Sequence, residues 1–272
     1  IIFAMRDFCP DAHLVKLGTM GEYGTPAMDI PEGFFEVEYR GKKDTLPFPR
    51  QAPSWYHWSK VHDSNNVMFA CRTCGLSSTD LMQGIVYGTR TPETATDERF
   101  VTRFDIDQCF GTVVNRFCAQ AVAGHPLTLF GSGHQRRGFI ALRDSIQCMT
   151  ITVENPAKRG EYRVFNQFAD VYGIEELARH VQAEAAALGM ATSLQHIDNP
   201  RIEKEEHYYR PDHQSLFDLG YVPGHDVRVE LRVILEDLTR WRERLLALSG
   251  GFMPDIRWGG GSKKADFVGA PQ

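Results

Sequence analysis

Apolar and polar positions alternate along the chain in blocks that predict strands and helices by turns. Residues 13–18 form an apolar run that predicts a buried strand, and residues 76–81 predict another. Between these strands, Ser54 is a suitable N-cap for a helix over residues 55–71. This alternation of strands and helices predicts an α/β fold with mostly parallel strand pairing.

A hairpin is predicted between the first strand and this helix. Residues 34–39 alternate in polarity, residues 40–43 form a turn, and residues 44–48 return. The hairpin either covers an active site or decorates the surface, and both interpretations stay open. The further predicted elements are a helix ending near residue 9, helices at 110–123, 174–188 and 226–248, strands at 127–131 and 162–166, a basic loop at 131–138, and an extended stretch that continues as a helix at 139–148.

Composition narrows the classes of function. The 272 residues suffice for one large domain or two modest ones, and a net charge of -5 with acids and bases interspersed does not indicate a nucleic-acid surface. No apolar run is long enough to span a bilayer. The six cysteines are scattered in apolar segments, which favours reduced, buried thiols. Cys71 and Cys74 have the spacing of half a zinc site, but no second such pair exists, so we predict no metal.

The candidate chemistry centres on Tyr56 and Lys60. On a helix, a spacing of four residues places both side chains on one face. A neighbouring ammonium favours the phenolate, so Tyr56 could take a proton from a sugar or alcohol hydroxyl. Thr19, after the first strand, could contact the same substrate oxygen. Taken alone, such a pair is more often the ordinary polar face of an amphipathic helix.

Two neighbours could do a second acid or base step. His57 lies about 100° round the helix from Tyr56, and Glu22 follows shortly after Thr19. Each also has a purely structural interpretation, and the choice between them stays open.

Several arginines of the second half could bind a diphosphate through their planar guanidinium groups. Arg137 and Arg201 are the favoured candidates, because each lies in a polar segment with glycine or proline. A solvated arginine or a salt bridge is the alternative for each. His207 could line the same pocket or be a structural residue. The other candidate arginines are Arg116 and Arg143.

A dehydrogenase-type site implies a nicotinamide cofactor, because side chains cannot carry hydride. The Gly-x-Gly-x-x-Gly loop expected for such a cofactor is missing, and Gly131-x-Gly133 lacks the third glycine. Either the loop precedes this sequence or the fold prediction is wrong. Because the chain opens inside an apolar helical run, we expect that a preceding segment is missing.

Several stretches together resemble the UDP-sulfoquinovose synthase family, a sulfolipid-pathway branch of the extended short-chain dehydrogenase/reductase superfamily. The resemblance extends from residue 1 to about residue 220. The stretches that carry it are 16–26, 44–47, 56–64, 83–88, 110–112, 115–118, 124–128, 164–168 and 205–209.

The resemblance implies a Rossmann-like, doubly wound sheet, truncated at its N-terminus, with a smaller C-terminal substrate-binding domain. Residues 1–90 would form the C-terminal part of the NAD-binding domain, 91–258 mostly a UDP-sugar-binding cap with returning Rossmann elements, and 259–272 a disordered tail. The implied NAD-binding residues are Gly18, Tyr56, Lys60, Gln83 and Val86. The implied UDP-sugar-binding residues are Thr19, Gln83, Asn115, Arg116, Thr128, Phe130, Arg137, Arg201 and His207.

The reaction implied by the resemblance converts UDP-glucose and sulfite to UDP-6-sulfoquinovose. Tyr56, its pKa lowered by Lys60, would take the proton of the 4-hydroxyl as hydride passes to NAD, and Thr19 would bond the same oxygen. Water would then leave, sulfite would add to the NAD-bound 4-keto-5-ene, and hydride would return.

Related 4,6-dehydratases carry Asp-Glu directly after the threonine, where this chain has Met20 and Gly21. This difference argues against an ordinary dehydratase and leaves the elimination open between His57 and Glu22. The alternatives are a truncated, non-catalytic UDP-sugar-binding module, or a UDP-glucose 4-epimerase or 4,6-dehydratase. A cytoplasmic (bacterial) or plastid stromal, non-secreted protein, possibly a homodimer, is expected.

Overall fold

The computed structural model describes residues 1–107, 110–200 and 208–253. They form two compact units, each built from separate segments of the chain. Unit one comprises Ile1–Gly84, Asp144–Asp170 and Tyr208–Pro223, and unit two comprises the described parts of Ile85–Arg143, Val171–His207 and Gly224–Gln272.

Strands and helices alternate along most of the described chain, as predicted. The strands are β1 (His13–Thr19), β2 (Phe34–Tyr39), β3 (Lys42–Pro47), β4 (Ser77–Gln83), β5 (Ile85–Tyr87), β6 (Leu127–Phe130), β7 (Arg136–Ala141), β8 (Tyr162–Gln167), β9 (Asp170–Gly173) and β10 (Leu194–Ile197). The α-helices are α1 (Ile2–Phe8), α2 (Trp55–Cys74), α3 (Val113–Ala123), α4 (Leu142–Glu154), α5 (Ile174–Ala187), α6 (Gln214–Asp218), α7 (Val227–Thr239) and α8 (Arg242–Ala247).

Unit one is organised around a parallel three-stranded sheet in the order β1-β4-β8. The register pairs Thr19 with Gln83 and Gln83 with Gln167, so the carboxyl ends of all three strands lie side by side. In open α/β sheets this edge is where ligands bind. The predicted parallel pairing is therefore confirmed, and it brings the polar ends of three separate segments together.

Helix α2 begins where its sequence predicts. The Ser54 side chain accepts a hydrogen bond from the backbone N–H of His57, and Gly75 ends the helix in the left-handed conformation at φ 69°. Its buried side chains recur at helical spacing and include Val61, Ser64 and Val67. Tyr56 and Lys60 lie eight and four residues before Ser64 on the same side of the helix, and Tyr56, in the first turn, is exposed whereas Ser64 is buried.

The predicted hairpin is confirmed, but its turn is shorter than predicted. Only Arg40 and Gly41 form the turn, with φ values of 52° and 73°. Positive φ at both positions is typical of the tight turn that matches the strand twist. Lys42 and Lys43, predicted as turn residues, therefore belong to β3.

Unit two packs α3, α5 and α7 around an apolar core. Buried members include Phe117 of α3, Leu177 of α5 and Leu231 of α7. Its strands form a sheet in the order β5-β7-β9 and a parallel pair of β6 and β10. The core accounts for the amphipathic patterns that predicted these helices.

Three expectations for unit two are wrong or incomplete. The long helix predicted at 226–248 is interrupted, because α7 ends at Thr239 and α8 begins at Arg242. The basic loop predicted at 131–138 becomes strand β7 from Arg136 onward. The short strands β9 and β10 have weak local patterns and were not predicted, because their conformation depends on distant partners. The predicted tail from 259 lies outside the described residues.

The cysteines largely follow their prediction. Cys71, Cys118 and Cys148 are buried and Cys74 is half-buried, whereas Cys9 is exposed, so its predicted burial is wrong; Cys109 lies outside the described residues. Burial raises the pKa of Cys71 to about 11, which keeps this thiol protonated and unreactive. Within the described ranges, no group of three His, Cys, Asp or Glu side chains could hold a metal ion, and no helix is long and apolar enough to cross a membrane.

Candidate functional site

Tyr56 and Lys60 lie in the first turns of α2, beside the end of β1. The Tyr56 side chain is 60% exposed. The Nζ atom of Lys60 lies 5.9 Å from the centre of the Tyr56 ring and donates a hydrogen bond of 3.1 Å to the backbone oxygen of Leu17. The predicted common face is confirmed, and the strand carbonyl holds the ammonium beside the phenol ring.

The predicted effect of Lys60 on Tyr56 is wrong for the protein as it stands. The pKa of Tyr56 lies above its usual value of 10.0, first because partial desolvation disfavours the phenolate and second because the negative charge of Glu22 does so too. Lys60 interacts with the face of the ring and with a backbone oxygen, and this position does not offset the other two effects.

Thr19 is the last residue of β1 and the N-cap of a short 3-10 helix, Met20–Tyr23. Its Oγ1 accepts a hydrogen bond of 3.2 Å from the backbone N–H of Gly21. The hydroxyl proton stays available, since a threonine oxygen can accept and donate at the same time. Thr19 can therefore donate to a substrate oxygen at the carboxyl edge of the sheet.

Glu22 lies in an entirely different environment from Tyr56. Its side chain is fully buried, and its carboxylate pairs with Arg50 at 2.6 Å and Lys16 at 3.4 Å. Burial raises the pKa of Glu22, and the charges of Lys16 and Arg50 oppose that effect. Because its oxygens are enclosed, Glu22 has no access to a bound sugar, and its predicted role in proton transfer is not supported by this geometry.

Glu22 belongs to a buried group of charged and hydroxyl residues that we call the ion cluster. Asp80 of β4 accepts hydrogen bonds from Lys16 at 3.0 Å, Ser64 at 2.6 Å and the Tyr162 hydroxyl at 2.7 Å. Two cations and two carboxylates balance one another, which is the condition under which buried charges are tolerated. The ion cluster comprises Lys16, Glu22, Arg50, Ser64, Asp80 and Tyr162.

His57 is partly exposed and lies between three neighbours. Its ring centre is 5.1 Å from that of Tyr56, in an edge-to-face arrangement. Its Nδ1 is 2.8 Å from Oγ of Ser54, and its other edge faces Gly21. An imidazole so placed can exchange a proton with a group bound next to Tyr56, so the structure leaves His57 as the better of the two second acid or base candidates.

Three glycines, Gly18 near the end of β1 and Gly21 and Gly24 after it, share the spacing Gly-x-x-Gly-x-x-Gly. The structure explains each of them by close packing, since an added Cβ would lie 2.4 Å from Asp80 Oδ1 at Gly18, 2.3 Å from the His57 ring at Gly21, and 2.2 Å from the Gln51 carbonyl oxygen at Gly24. A 3-10 helix of four residues follows β1, rather than the long helix that presents backbone N–H groups to a pyrophosphate. Gly18 is buried. Its contact with NAD stays a prediction.

Gln83 ends β4 and joins a polar network with β8 and α4. Its Nε2 donates to Gln167 Oε1 at 2.7 Å and to Ser145 Oγ at 3.1 Å. Both amide hydrogens are therefore used, and the carbonyl oxygen of the side chain is the part that could face a ligand.

The predicted UDP-sugar residues of unit two differ in availability. Thr128 is fully buried, and its hydroxyl accepts a hydrogen bond of 2.8 Å from Gln120 Nε2, so its side chain cannot hold a uracil. Arg116 lies over the Phe130 ring at 4.2 Å and donates to the Thr128 carbonyl oxygen. Asn115 donates to a backbone oxygen of Asp105.

The remaining predicted residues have local contacts. Arg137 donates to the carbonyl oxygen of Arg136, and Arg143 donates to that of Arg90. Val86 is partly buried in β5. Arg201 and His207 lie outside the described residues.

A family model described as NAD dependent epimerase/dehydratase family matches residues 1–166. This chain belongs to that family. Among curated proteins it is 47% identical over 258 residues to a UDP-sulfoquinovose synthase, chloroplastic, of Spinacia oleracea, a match that covers 95% of this chain and 53% of the relative. It is 46% identical to a UDP-sulfoquinovose synthase of Sulfolobus acidocaldarius, covering 95% of this chain and 66% of that relative. The chain thus spans about half to two thirds of the length of these relatives.

Solved structures of several other proteins share the fold. UDP-glucuronic acid 4-epimerase from Bacillus cereus, in complex with UDP-glucuronic acid and NAD, superimposes with a TM-score of 0.66 at 17% identity, covering 88% of this chain and 65% of that chain. UDP-glucose 4-epimerase of Thermotoga maritima, with UDP-glucose, gives 0.66 at 18% identity, covering 90% and 67%. The expected Rossmann-type α/β architecture is confirmed.

Proposed function

We propose that the whole protein catalyses the UDP-sulfoquinovose synthase reaction, in which UDP-glucose and sulfite become UDP-6-sulfoquinovose. The observation that carries this proposal is the identity of 46–47% over 95% of the chain with two proteins of that name. The exposed Tyr56 beside Lys60 and Thr19 supports it, because these groups suit oxidation of a sugar hydroxyl.

NAD is the proposed cofactor, and the residues present fit one side of it. Tyr56 and Lys60 are accessible at the carboxyl edge of the sheet, where Lys60 could bond the ribose and Tyr56 could lie beside the nicotinamide. Gly18, Gly21 and Gly24 do not suit a pyrophosphate loop, because packing already fills the space around them. When bound, NAD supplies the hydride acceptor that side chains lack. Gln83 and Val86 stay proposed NAD neighbours.

Tyr56 is the proposed base for the 4-hydroxyl of the glucose ring. Its pKa lies above the usual value in the protein without a cofactor, and Lys60 together with the positive charge that a bound nicotinamide would supply would favour the phenolate. Thr19 donates its free hydroxyl proton to the same sugar oxygen and orients it. Tyr56 would thereby remove the proton as C4 is oxidised.

His57 is the proposed residue for the elimination of water. Oxidation at C4 acidifies the hydrogen on C5, and His57 follows Tyr56 directly in the helix with its ring 5.1 Å away. Glu22 is enclosed in the ion cluster, so we assign it a structural role beneath the site.

Unit two is the proposed binding unit for the UDP-sugar, and unit one the remaining part of the NAD-binding domain. Arg116, stacked on Phe130, offers a planar cation near an aromatic ring, which suits a nucleotide. Asn115, Arg137, Arg201 and His207 stay proposed contacts, whereas the Thr128 side chain is already bonded to Gln120.

Sulfite as the second substrate, a homodimer, and a cytoplasmic or stromal location complete the proposal. The name of one relative includes the word chloroplastic, which supports the stroma as one location. Exposed aromatic side chains on α1 and α2 support a dimer face: Phe3 is 72% exposed and Phe69 is 67% exposed.

Incubation of the whole protein with UDP-glucose, with and without sulfite, tests the function. We expect a sulfonated UDP-sugar only when sulfite is present, detected by mass spectrometry. UDP-galactose would indicate a 4-epimerase, and a stable 4-keto-6-deoxy sugar a 4,6-dehydratase. Binding of UDP-glucose without any reduction of NAD would indicate the non-catalytic module.

A further inference from the structure

Gln83 lies beside Thr19 at the carboxyl edge of the sheet in unit one. The register pairs Gln83 with Thr19 of β1 on one side and with Gln167 of β8 on the other. Neighbouring strands lie about 5 Å apart, so the Gln83 backbone is one strand away from the threonine that the proposed function places on the sugar. The half-buried Gln83 side chain is therefore within reach of the same bound molecule.

A backbone carbonyl fixes the orientation of the Gln83 amide. The Ser145 carbonyl oxygen can only accept, so the Gln167 side-chain atom that lies 3.1 Å from it must be the nitrogen, Nε2. Gln167 Oε1 can also only accept, so its neighbour at 2.7 Å must be Nε2 of Gln83. Exchanging oxygen and nitrogen in either side chain would break one of these two hydrogen bonds.

The same network uses both hydrogens of the Gln83 amide. The second hydrogen is donated to Ser145 Oγ at 3.1 Å, and Ser145 and Gln167 are both buried. Within the described ranges, Gln83 Oε1 has no hydrogen-bond partner, and it is not among the buried side-chain atoms that lack one. Solvent therefore reaches this oxygen, and Gln83 presents an acceptor without a donor.

We propose that Gln167 and Ser145 are positioning residues that make Gln83 an acceptor for a hydroxyl group of the bound UDP-sugar, an inference that rests on the proposed function. A sugar hydroxyl can donate its proton to Gln83 Oε1. A carboxylate or phosphate oxygen has no proton to donate, so the negative end of the amide dipole repels it. The fixed amide thus selects a neutral, hydroxylated sugar at this position.

The network also orders the Gln83 side chain before the sugar binds. An amide that is already held by two buried partners loses little rotamer freedom on binding, which favours affinity. Without Gln167, the amide can rotate and turn its NH2 group towards the ligand, where a sugar hydroxyl would meet a donor instead of an acceptor. The expected defect is therefore in binding of the sugar more than in the chemical step.

Gln167→Leu tests the fixed orientation. In the whole protein, we expect the affinity for UDP-glucose, measured by calorimetry, to fall about 3- to 10-fold, the scale of one hydrogen bond, while kcat falls less. Ser145→Ala should have a smaller effect, because Gln167 still accepts one amide hydrogen. Ser77→Ala is the matched control, since this buried serine donates to a backbone oxygen at the amino end of β4. Its affinity should stay unchanged.

A second set of variants separates positioning from a general loss of structure. In a protein that already carries Gln83→Leu, adding Gln167→Leu or Ser145→Ala should cause no further loss of affinity for UDP-glucose, because both residues act through Gln83. An equal loss in the presence and absence of Gln83→Leu would show that Gln167 and Ser145 only support the fold, and it would overturn the inference.

UDP-glucose analogues that each lack one hydroxyl identify the group that Gln83 binds. One analogue should bind the unmodified protein and Gln167→Leu with equal affinity, because the hydroxyl in question is absent from it. The other analogues should still show the fall. If every analogue showed the full fall, or if Gln167→Leu weakened NAD binding in place of UDP-glucose binding, the ligand of Gln83 would not be a sugar hydroxyl and the inference would be overturned.

Hydrogen exchange of the Gln83 side-chain amide tests the orientation without any substrate. Its nitrogen-15 signal, assigned by its loss in Gln83→Leu, should exchange more slowly with solvent than that of the exposed Gln195, and faster in Gln167→Leu than in the unmodified protein. Exchange at the rate of Gln195 in the unmodified protein would mean that the NH2 group faces solvent, which contradicts the proposed orientation.

Failure of this inference and failure of the proposed function give different results. A whole protein that forms no sulfonated UDP-sugar from UDP-glucose and sulfite overturns the proposed function. A protein that forms this product, but whose Gln167→Leu variant binds UDP-glucose with unchanged affinity, overturns the inference alone.

Discussion

Two polar regions of unit one contain similar chemical groups in opposite environments. In the ion cluster, Glu22 and Asp80 are fully buried and every charge has a close partner. Nearby, Tyr56 is 60% exposed, and Lys60 donates a hydrogen bond to a backbone oxygen and lies over the Tyr56 ring. Buried charges must satisfy one another, so the ion cluster is suited to holding shape, whereas the exposed pair remains available to a substrate.

Helix α2 serves both regions along one of its sides, on which Tyr56, Lys60 and Ser64 follow one another at a spacing of four residues. Ser64 is buried, with its hydroxyl oxygen 3.0 Å from Glu22 Oε2 and 2.6 Å from Asp80 Oδ2, while Tyr56 lies in the first turn and is exposed. One helix thereby ties the reactive residues to a rigid interior. Glu22 is close to Thr19 in sequence but is buried. The comparison therefore shows that solvent access, and not proximity in sequence, determines which residue can exchange a proton with a substrate.

The largest expected effect is the loss of catalytic rate when the exposed Tyr56 is changed. Tyr56→Phe should lower kcat of the whole protein about 10²–10⁴-fold, because it removes the proposed base. Affinity for UDP-glucose and the free energy of unfolding should stay nearly unchanged, since only an exposed hydroxyl is lost. Steady-state kinetics and calorimetry check this expectation. If binding collapsed while the rate per bound complex held, Tyr56 would be a packing residue.

The next largest effect is expected on the free energy of unfolding when the buried ion cluster is changed. Lys16→Met should lower the free energy of unfolding by about 3–5 kcal/mol, because Glu22 and Asp80 lose a cation that they share. Urea denaturation measures it. Lys43→Met is the control, since that lysine is 79% exposed and its pair with Glu38 is 3.6 Å apart, so no clear change is expected. Equal stability of the two variants would show that the buried charges are not coupled as described.

A smaller effect is expected at the boundary of the two regions. Gly18→Ala places a Cβ 2.4 Å from Asp80 Oδ1 and 2.9 Å from Met82 Sδ, which should cost about 1–3 kcal/mol of unfolding free energy through overpacking. Gly18 has no positive φ, so the backbone itself tolerates alanine. Thermal unfolding checks the prediction, with Gly250→Ala as the control because its Cβ would meet nothing within 4 Å. An unchanged free energy of unfolding in Gly18→Ala would mean that the side chains of the ion cluster move aside for the added Cβ more easily than the structure indicates.

The smallest effect links the two regions electrostatically. Glu22→Gln removes a negative charge that raises the pKa of Tyr56, so that pKa should fall toward its usual value of 10.0. The sign is fixed because a nearby negative charge disfavours the phenolate. Titration by carbon-13 NMR of labelled tyrosine, with Tyr56→Phe to assign the signal, measures the shift. An unchanged or higher pKa in the folded variant would contradict it.

Much of the fold was predictable from local pattern. The strand before Thr19, the helix capped by Ser54 and the hairpin all follow from contacts between residues close in sequence. The elements that were missed or misplaced depend on distant partners: β10 exists through its pairing with β6, and the predicted long helix at 226–248 breaks after Thr239.

The candidate site divides in the same way. Spacing alone predicted that Tyr56 and Lys60 share a helix face, and the structure confirms it. Spacing could not show that Thr128 is buried against Gln120, because that depends on how a strand packs on a helix. The Gly21 contact with His57 was also missed, although a glycine where related enzymes have an acid was a usable signal.

By itself, the amino-acid sequence determined the α/β architecture and the helix that carries the phenol and ammonium, because these properties depend on short-range spacing and periodicity, and the family was indicated by the resemblance of many separate stretches. Only the tertiary structure decided that Glu22 is enclosed by Lys16 and Arg50, while His57 is partly exposed and lies between Ser54 and Gly21. The physical reason is that burial is a property of side chains brought together from distant segments, and burial determines whether a charged group stabilises the fold or exchanges protons with a substrate.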